Sequence, residues 1–158
     1  MKKLLLIISL LLQSIILISQ DSITIDKYNF DKDCYDGAQQ EINYCLSNVS
    51  KKLSEIVQKK FECLVSYFDL KINEYSFSKD TSLVADYIKE KQFLTSSQLA
   101  WEKLAEENAS FWEIGGGTIT PMYVAISLIK DKKDRLIWLD SIIEEEGQGD
   151  VIVVLKCE

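Results

Sequence analysis

The apolar residues in the middle of the chain recur at steps of three and four, which is the spacing of one face of an α-helix. The first such run extends from Ile42 to Phe68 and predicts one long amphipathic helix. Polar side chains dominate residues 71–82, which therefore predict a connection. The apolar positions of the run are Ile42, Cys45, Leu46, Val49, Leu53, Ile56, Val57, Leu64, Val65 and Phe68.

A second helical run extends from Leu83 to Trp112. Thr95, Ser96 and Ser97 lie in its middle, where their hydroxyl groups compete with the helix for backbone hydrogen bonds. We therefore expect this helix to bend or break near these three residues.

A third helical run follows three consecutive glycines, residues 115–117, which we expect to end the second helix. Thr120 is the expected N-cap, and Pro121 follows at the first helical position, where its missing N–H costs nothing. The apolar positions continue from Met122 to Ile143, and Gly147 is the expected stop. The pattern predicts an all-α fold, an antiparallel bundle of about three to four long amphipathic helices.

Both ends of the chain differ from this helical pattern. Lys2 and Lys3 precede an apolar stretch over residues 4–18, which is typical of a secretory signal peptide cleaved near residue 20. The stretch is shorter than the ~20 residues that span a bilayer, although an uncleaved anchor remains an alternative. We expect a signal peptide over residues 1–20, a helical domain over 21–146 and a C-terminal tail over 147–158. The apolar, mostly β-branched residues 151–155 predict that the tail is buried.

The mature chain is acidic. The sequence contains 18 basic and 25 acidic residues, and loss of Lys2 and Lys3 leaves 16 basic residues and a net charge of −9. This charge disfavours nucleic acid and anionic membranes as partners, and it steers a basic protein towards the surface. The alternative is that the acidity only keeps an exported protein soluble.

Four cysteines follow the signal, and an even number in an exported chain predicts two disulfides. Three connectivities are possible. We favour Cys34–Cys45 with Cys63–Cys157, because the first pair is local and the second would hold the tail. We accordingly expect an extracytoplasmic protein, either periplasmic or secreted.

The first pair constrains where a helix can begin. Cys34 and Cys45 are eleven residues apart, so on one helix their Cα atoms would be ~16 Å apart, beyond the ~7 Å that a disulfide allows. If the bridge forms, the helix begins near Gln39 or later. If it does not, Asp36 is the alternative N-cap.

The side chains offer little catalytic chemistry. The sequence has no histidine, which removes the usual general base and the commonest zinc ligand. Glu106 and Glu107 are candidates for the paired carboxylates of a glycoside hydrolase. Because they are adjacent in a helix they point in different directions, so we favour a solvated face. Trp101 and Trp112 are expected to be core or interface anchors, and we favour the core. We predict a non-enzymatic protein with no cofactor and no metal site.

Three short blocks, taken in order, resemble the lysozyme inhibitor LprI-like N-terminal domain family. They span most of the mature chain, from Cys34 to Leu139. The blocks are Cys34 with Gln39, Glu41, Asn43 and Cys45; Gln98 with Trp101; and Gly116, Gly117, Thr118 and Pro121 with Arg135 and Leu139 downstream.

The resemblance implies a small exported bacterial helical protein whose block residues have structural or interaction roles. The family pattern has a further cysteine pair, and Ala109 and Ser127 stand at or near its positions here, so Cys63 and Cys157 read as a replacement bridge. One family namesake inhibits lysozyme. The expectation is inhibition by contact with a cationic lysozyme, with residues 115–118 as the exposed contact loop. The alternative is a structural or adaptor module of the cell envelope that binds through an exposed aromatic face.

Overall fold

The computed structural model describes residues 27–147 and Cys157. These residues form three helices, which are α1, Gln39–Ser78; α2, Thr81–Glu113; and α3, Thr120–Gly147. No strand occurs among them, and each helix packs against the other two. The all-α class is therefore confirmed. The predicted signal over residues 1–20 and the apolar segment 151–155 lie outside the described residues.

The start of α1 follows from the first disulfide. Cys34 and Cys45 are bonded, with their Cα atoms 5.4 Å apart, and the helix begins at Gln39 with Ala38 as its N-cap. The Glu41 carboxylate accepts a hydrogen bond from the Ala38 amide at 2.9 Å. This is half of a capping box, because alanine has no side-chain acceptor to complete it. The helix start expected for a bridged chain is confirmed, and the alternative Asp36 cap is not formed.

The polar segment 71–82 is not a connection. α1 continues through Ser78, so this prediction was wrong. The Ser76 hydroxyl donates to the Ile72 carbonyl at 2.6 Å, and the Tyr75 ring stacks on Tyr87 of α2 at 5.5 Å between centroids. Polar side chains on an exposed helical face cost little, and one stacked aromatic residue here adds a tertiary contact.

Only two residues separate α1 from α2. Lys79 has φ 62° and is left-handed; its amide donates to the Ser76 carbonyl at 3.3 Å, and the Asp80 amide donates to Tyr75 at 3.1 Å. These two bonds form a Schellman motif, in which glycine is the usual left-handed residue. The Asp80 carboxylate then caps α2 by accepting from the Leu83 amide at 3.2 Å.

α2 runs unbroken through residues 95–97, so the expected break does not occur. The hydroxyl groups bond within the helix: Thr95 donates to the Lys91 carbonyl at 2.9 Å, and Ser97 donates to Leu94 at 2.9 Å. Their hydrogen bonds are satisfied without interrupting the helical ladder.

α3 begins one residue earlier than expected. Thr120 is its first residue, and the Ile119 carbonyl accepts from the Tyr123 amide at 3.4 Å. Ile119 therefore takes the capping position predicted for Thr120. Pro121 still lies in the first turn, where its missing N–H leaves no helical bond unmade.

The core lies where the three helices meet. Its fully buried leucines come from every helix, and the second disulfide closes beside it. Cys63 and Cys157 are bonded with their Cα atoms 5.5 Å apart, so both favoured pairs are present. In the chain-entropy model this 94-residue loop stabilises the fold by about 4–5 kcal/mol, against about 3 kcal/mol for the short one. The fully buried leucines are Leu46, Leu53, Leu64, Leu94, Leu136 and Leu139.

Two bridges are typical of proteins that fold in an oxidising compartment. In the part of the chain that the structure describes, no helix has the length and apolar content needed to cross a membrane.

Candidate functional site

The second family block and Arg135 meet in the interior between α2 and α3. The Arg135 Nε donates to the Gln98 side-chain oxygen at 2.9 Å, and a terminal nitrogen donates to the Ser97 hydroxyl at 3.2 Å. Its guanidinium lies over the Trp138 ring at 4.0 Å and over Trp101 at 5.7 Å. Gln98 and Arg135 are buried, so this cluster joins two helices through a charge held between aromatic rings.

The polar atoms of this cluster already have partners. The Trp101 indole donates to the Asp131 carbonyl at 3.2 Å, and the Gln98 amide donates to Glu102 at 2.9 Å. Burial lowers the pKa of Arg135 to about 10, against the opposing charge of Glu102, so the guanidinium stays protonated at neutral pH. Within residues 27–147 and Cys157, every buried side-chain nitrogen and oxygen has a partner. The cluster therefore fixes the packing of α2 on α3.

A second buried cluster centres on Asp140 of α3. Its carboxylate contacts the Lys60 ammonium at 2.8 Å, the Tyr28 hydroxyl at 2.6 Å and the Lys27 ammonium at 3.1 Å. Lys60 also donates to the Cys157 carbonyl at 3.1 Å. The cluster ties the segment before α1 and the last cysteine to the contact between α1 and α3.

The charges of the Asp140 cluster are held by hydrogen bonds. Burial alone would raise the pKa of Asp140, but bonds from Lys60 and Tyr28 outweigh it and lower that pKa. Burial, together with the bond to Asp140 and its charge, raises the pKa of Tyr28. Sequence reasoning missed this cluster. The available signal was that Lys60 follows Val57, and Asp140 follows Leu136, at the spacing of the apolar stripe, which places opposite charges on inward faces.

The first family block lies at the entry of α1. Glu41 caps the helix, and the Gln39 amide donates to the Asn43 oxygen at 2.9 Å. Asn43 also lines a cavity of about 340 Å³ together with Thr120 and Pro121 of the third block. The structure thus brings the first and third blocks together at one end of the helices, while Gln98, Trp101 and Arg135 form a separate cluster.

The Gly-rich loop, residues 114–119, connects α2 to α3. Every residue of this loop, including Thr118, is exposed. Gly116 and Gly117 have φ values of 59° and 102°, and no atom lies within 4 Å of the place a Cβ would occupy. A side chain would find room at both positions. Glycine is therefore favoured by the positive φ values and not by a close neighbour.

Aromatic residues flank the Gly-rich loop. Trp112, at the end of α2, stacks on Tyr123, at the start of α3, with centroids 5.4 Å apart, and Phe111 packs edge-on against Trp112 at 5.5 Å. Trp112 is 44% exposed, so its predicted core position was wrong, whereas Trp101 is half-buried against the core. Trp112 and Tyr123 lie at the two helix ends that border the loop, so their stacking requires the two helices to fold against each other.

The adjacent carboxylates of α2 lie on a solvated face. Glu106 and Glu107 are both exposed, and Glu107 lies 3.8 Å from Lys103 in the same helix. Over the described ranges, no group of three His, Cys, Asp or Glu residues is placed to hold a metal ion.

Comparison with family models, with curated proteins and with solved structures found no match for this chain.

Proposed function

We propose that this protein is an exported, non-enzymatic member of the LprI-like group that binds a cationic partner protein and inhibits lysozyme by contact. The observation that carries the proposal is the Gly-rich loop. It is exposed along its whole length and is bordered by Phe111, Trp112 and Tyr123. Tyrosine and tryptophan often provide most of the binding energy of a protein interface.

The arrangement of the helices supports a contact surface at this end. Tyr75 and Asp69 of α1 meet Tyr87 and Lys91 of α2 in reversed order, which favours an antiparallel bundle. In such a bundle the Gly-rich loop lies at one end, and the turn at residues 79–80 lies about 50 Å away at the other, since α2 has 33 residues.

Charge and compartment agree with this partner. A mature net charge of −9 steers association with a basic protein such as lysozyme. Two disulfides suit the periplasm or the extracellular space, where lysozyme acts on the cell wall.

A turbidity assay of lysozyme on peptidoglycan tests the proposal. Excess oxidised protein should slow clearing, and Ile114→Ser, in the Gly-rich loop, should weaken this effect severalfold by removing exposed apolar contact area. The matched control is Phe77→Ser at the opposite end. Both side chains are almost fully exposed, at 83% for Ile114 and 94% for Phe77.

Two results would contradict the proposal. Unchanged clearing at large excess of folded protein would remove lysozyme inhibition and leave the envelope-adaptor function. Equal loss in the two variants would show that the effect does not depend on the Gly-rich loop.

A further inference from the structure

A groove follows the contact between α2 and α3 and is lined almost wholly by these two helices. One cavity of about 570 Å³ lies between residues 104–112 and 123–131, and a second of about 480 Å³ lies between residues 89–94 and 138–146. Both cavities follow the same pair of helices, and we call the two together the outer groove.

Exposed apolar side chains follow the outer groove along α2. Phe93, Leu104 and Phe111 are each more than half exposed. Their separations of eleven and seven residues complete nearly whole helical turns, so all three lie on one side of the helix. Trp138 and Ile142 line the groove from α3. The span from residue 93 to residue 111 is about 27 Å, which is the length of a helix of about 18 residues.

The rim of the outer groove is mostly acidic. Glu90 and Glu145 line one cavity, and Glu107 and Asp131 line the other. Two cations, Lys89 and Lys130, also lie on the rim, and Lys89 pairs with Asp86 at 3.6 Å. Neither Glu90 nor Glu145 has an ion pair with another described residue.

The titration of Glu90 agrees with this excess of negative charge. Burial raises its pKa, and the charges of Glu146, Asp86 and Glu145 raise it further. A cation placed among these carboxylates would relieve their repulsion.

We propose that the outer groove binds a basic amphipathic helix of a partner protein, about 18 residues long. Its apolar face would cover Phe93, Leu104 and Phe111, and its Lys and Arg side chains would pair with the carboxylates of the rim. A second copy of this chain fits less well, because it would bring the same acidic rim and a net charge of −7 or lower. One end of the outer groove shares Phe111, Trp112 and Tyr123 with the border of the Gly-rich loop. The proposal still does not depend on lysozyme binding, because Phe93, Leu104 and Glu145 lie outside that border.

The probe is a labelled synthetic peptide of about 18 residues with leucines on one helical face and lysines on the other. Its binding to the oxidised protein is followed by fluorescence anisotropy. Leu104→Ser should weaken binding about fivefold or more, because the groove loses a central apolar contact. The matched control is Leu99→Ser, which lies on the opposite flank of α2 at a similar exposure, 64% against 55%, and should change affinity less than about twofold.

A second pair of variants tests the charge of the rim. Glu145→Gln should weaken binding about twofold to threefold at low salt, and less at high salt. Glu144→Gln, its exposed neighbour outside the groove, should not. All four substituted side chains are exposed, and circular dichroism checks that each variant keeps its helices.

Four results would overturn the proposal. They are no binding of the peptide, equal weakening by Leu99→Ser, equal binding of a matched peptide with glutamates in place of lysines, and a dimer in sedimentation analysis that Leu104→Ser dissociates. The last would identify a second copy as the occupant. None of these results depends on the lysozyme assay, so the two proposals can fail separately.

Discussion

Asp140 of α3 contacts residues more than 100 positions away in the sequence. Its carboxylate contacts Lys60 of α1 as well as Tyr28 and Lys27, which precede α1. Lys60 and Asp140 are both about 5% exposed, so neither charge can be solvated if the other is removed. Removing one partner of a buried pair costs far more than replacing both, because the remaining charge stays desolvated.

Asp140→Asn should therefore lower the free energy of unfolding by about 3–5 kcal/mol, measured by urea denaturation. The double variant Lys60→Met, Asp140→Leu is the control and should recover much of the loss. A double variant no more stable than Asp140→Asn would contradict mutual compensation and would show that the pair, with its bonds to Tyr28 and Cys157, stabilises the fold.

The same pair predicts an acid dependence. The pKa of Asp140 is lowered in the folded protein, so its contribution is present above the unfolded value of about 4 and is lost as the pH falls through the folded value. Wild type should lose more stability than Asp140→Asn as the pH is lowered below about 4. Equal losses would contradict this assignment.

At the scale of helices, the spacing of apolar residues located the three helical stripes. The short Cα–Cα distance that a disulfide requires located the start of α1. The extent of α1 was misjudged, because a polar run such as residues 71–82 looks the same in a loop and on an exposed helical face. The stack of Tyr75 on Tyr87 distinguishes the two, and it forms only when α2 folds back. Likewise, Lys60 pairs with Asp140 only when α1 packs against α3, and the spacing of apolar residues within one helix does not predict that contact.

The end of α1 offers a test at this scale. Lys79 has φ 62°, which costs a residue with a Cβ about 1–2 kcal/mol. Lys79→Gly should raise the free energy of unfolding by up to about 1 kcal/mol after the entropy of glycine is counted. Lys51→Gly, at an exposed position inside α1, should lower it by about 1 kcal/mol. A destabilised Lys79→Gly protein would show that the lysine side chain itself stabilises the turn.

At the scale of the whole molecule, the family-block residues fall into two structural groups. Gln98, Trp101 and Arg135 pack α2 against α3, whereas the glycines of the third block form an exposed loop. Sequence alone predicted the exposure of that loop. It did not predict the flanking Trp112–Tyr123 stack, because two helix ends must first meet. The proposed contact surface therefore combines a loop that the sequence predicts with an aromatic stack that only the folded structure shows.

Hydrogen–deuterium exchange of the oxidised protein, with and without lysozyme, tests the partner contact most directly. We predict that lysozyme slows exchange in residues 111–123, while the turn at residues 79–80 is unchanged. Exchange that is identical with and without lysozyme, or slowed only outside residues 111–123, would contradict the proposed contact.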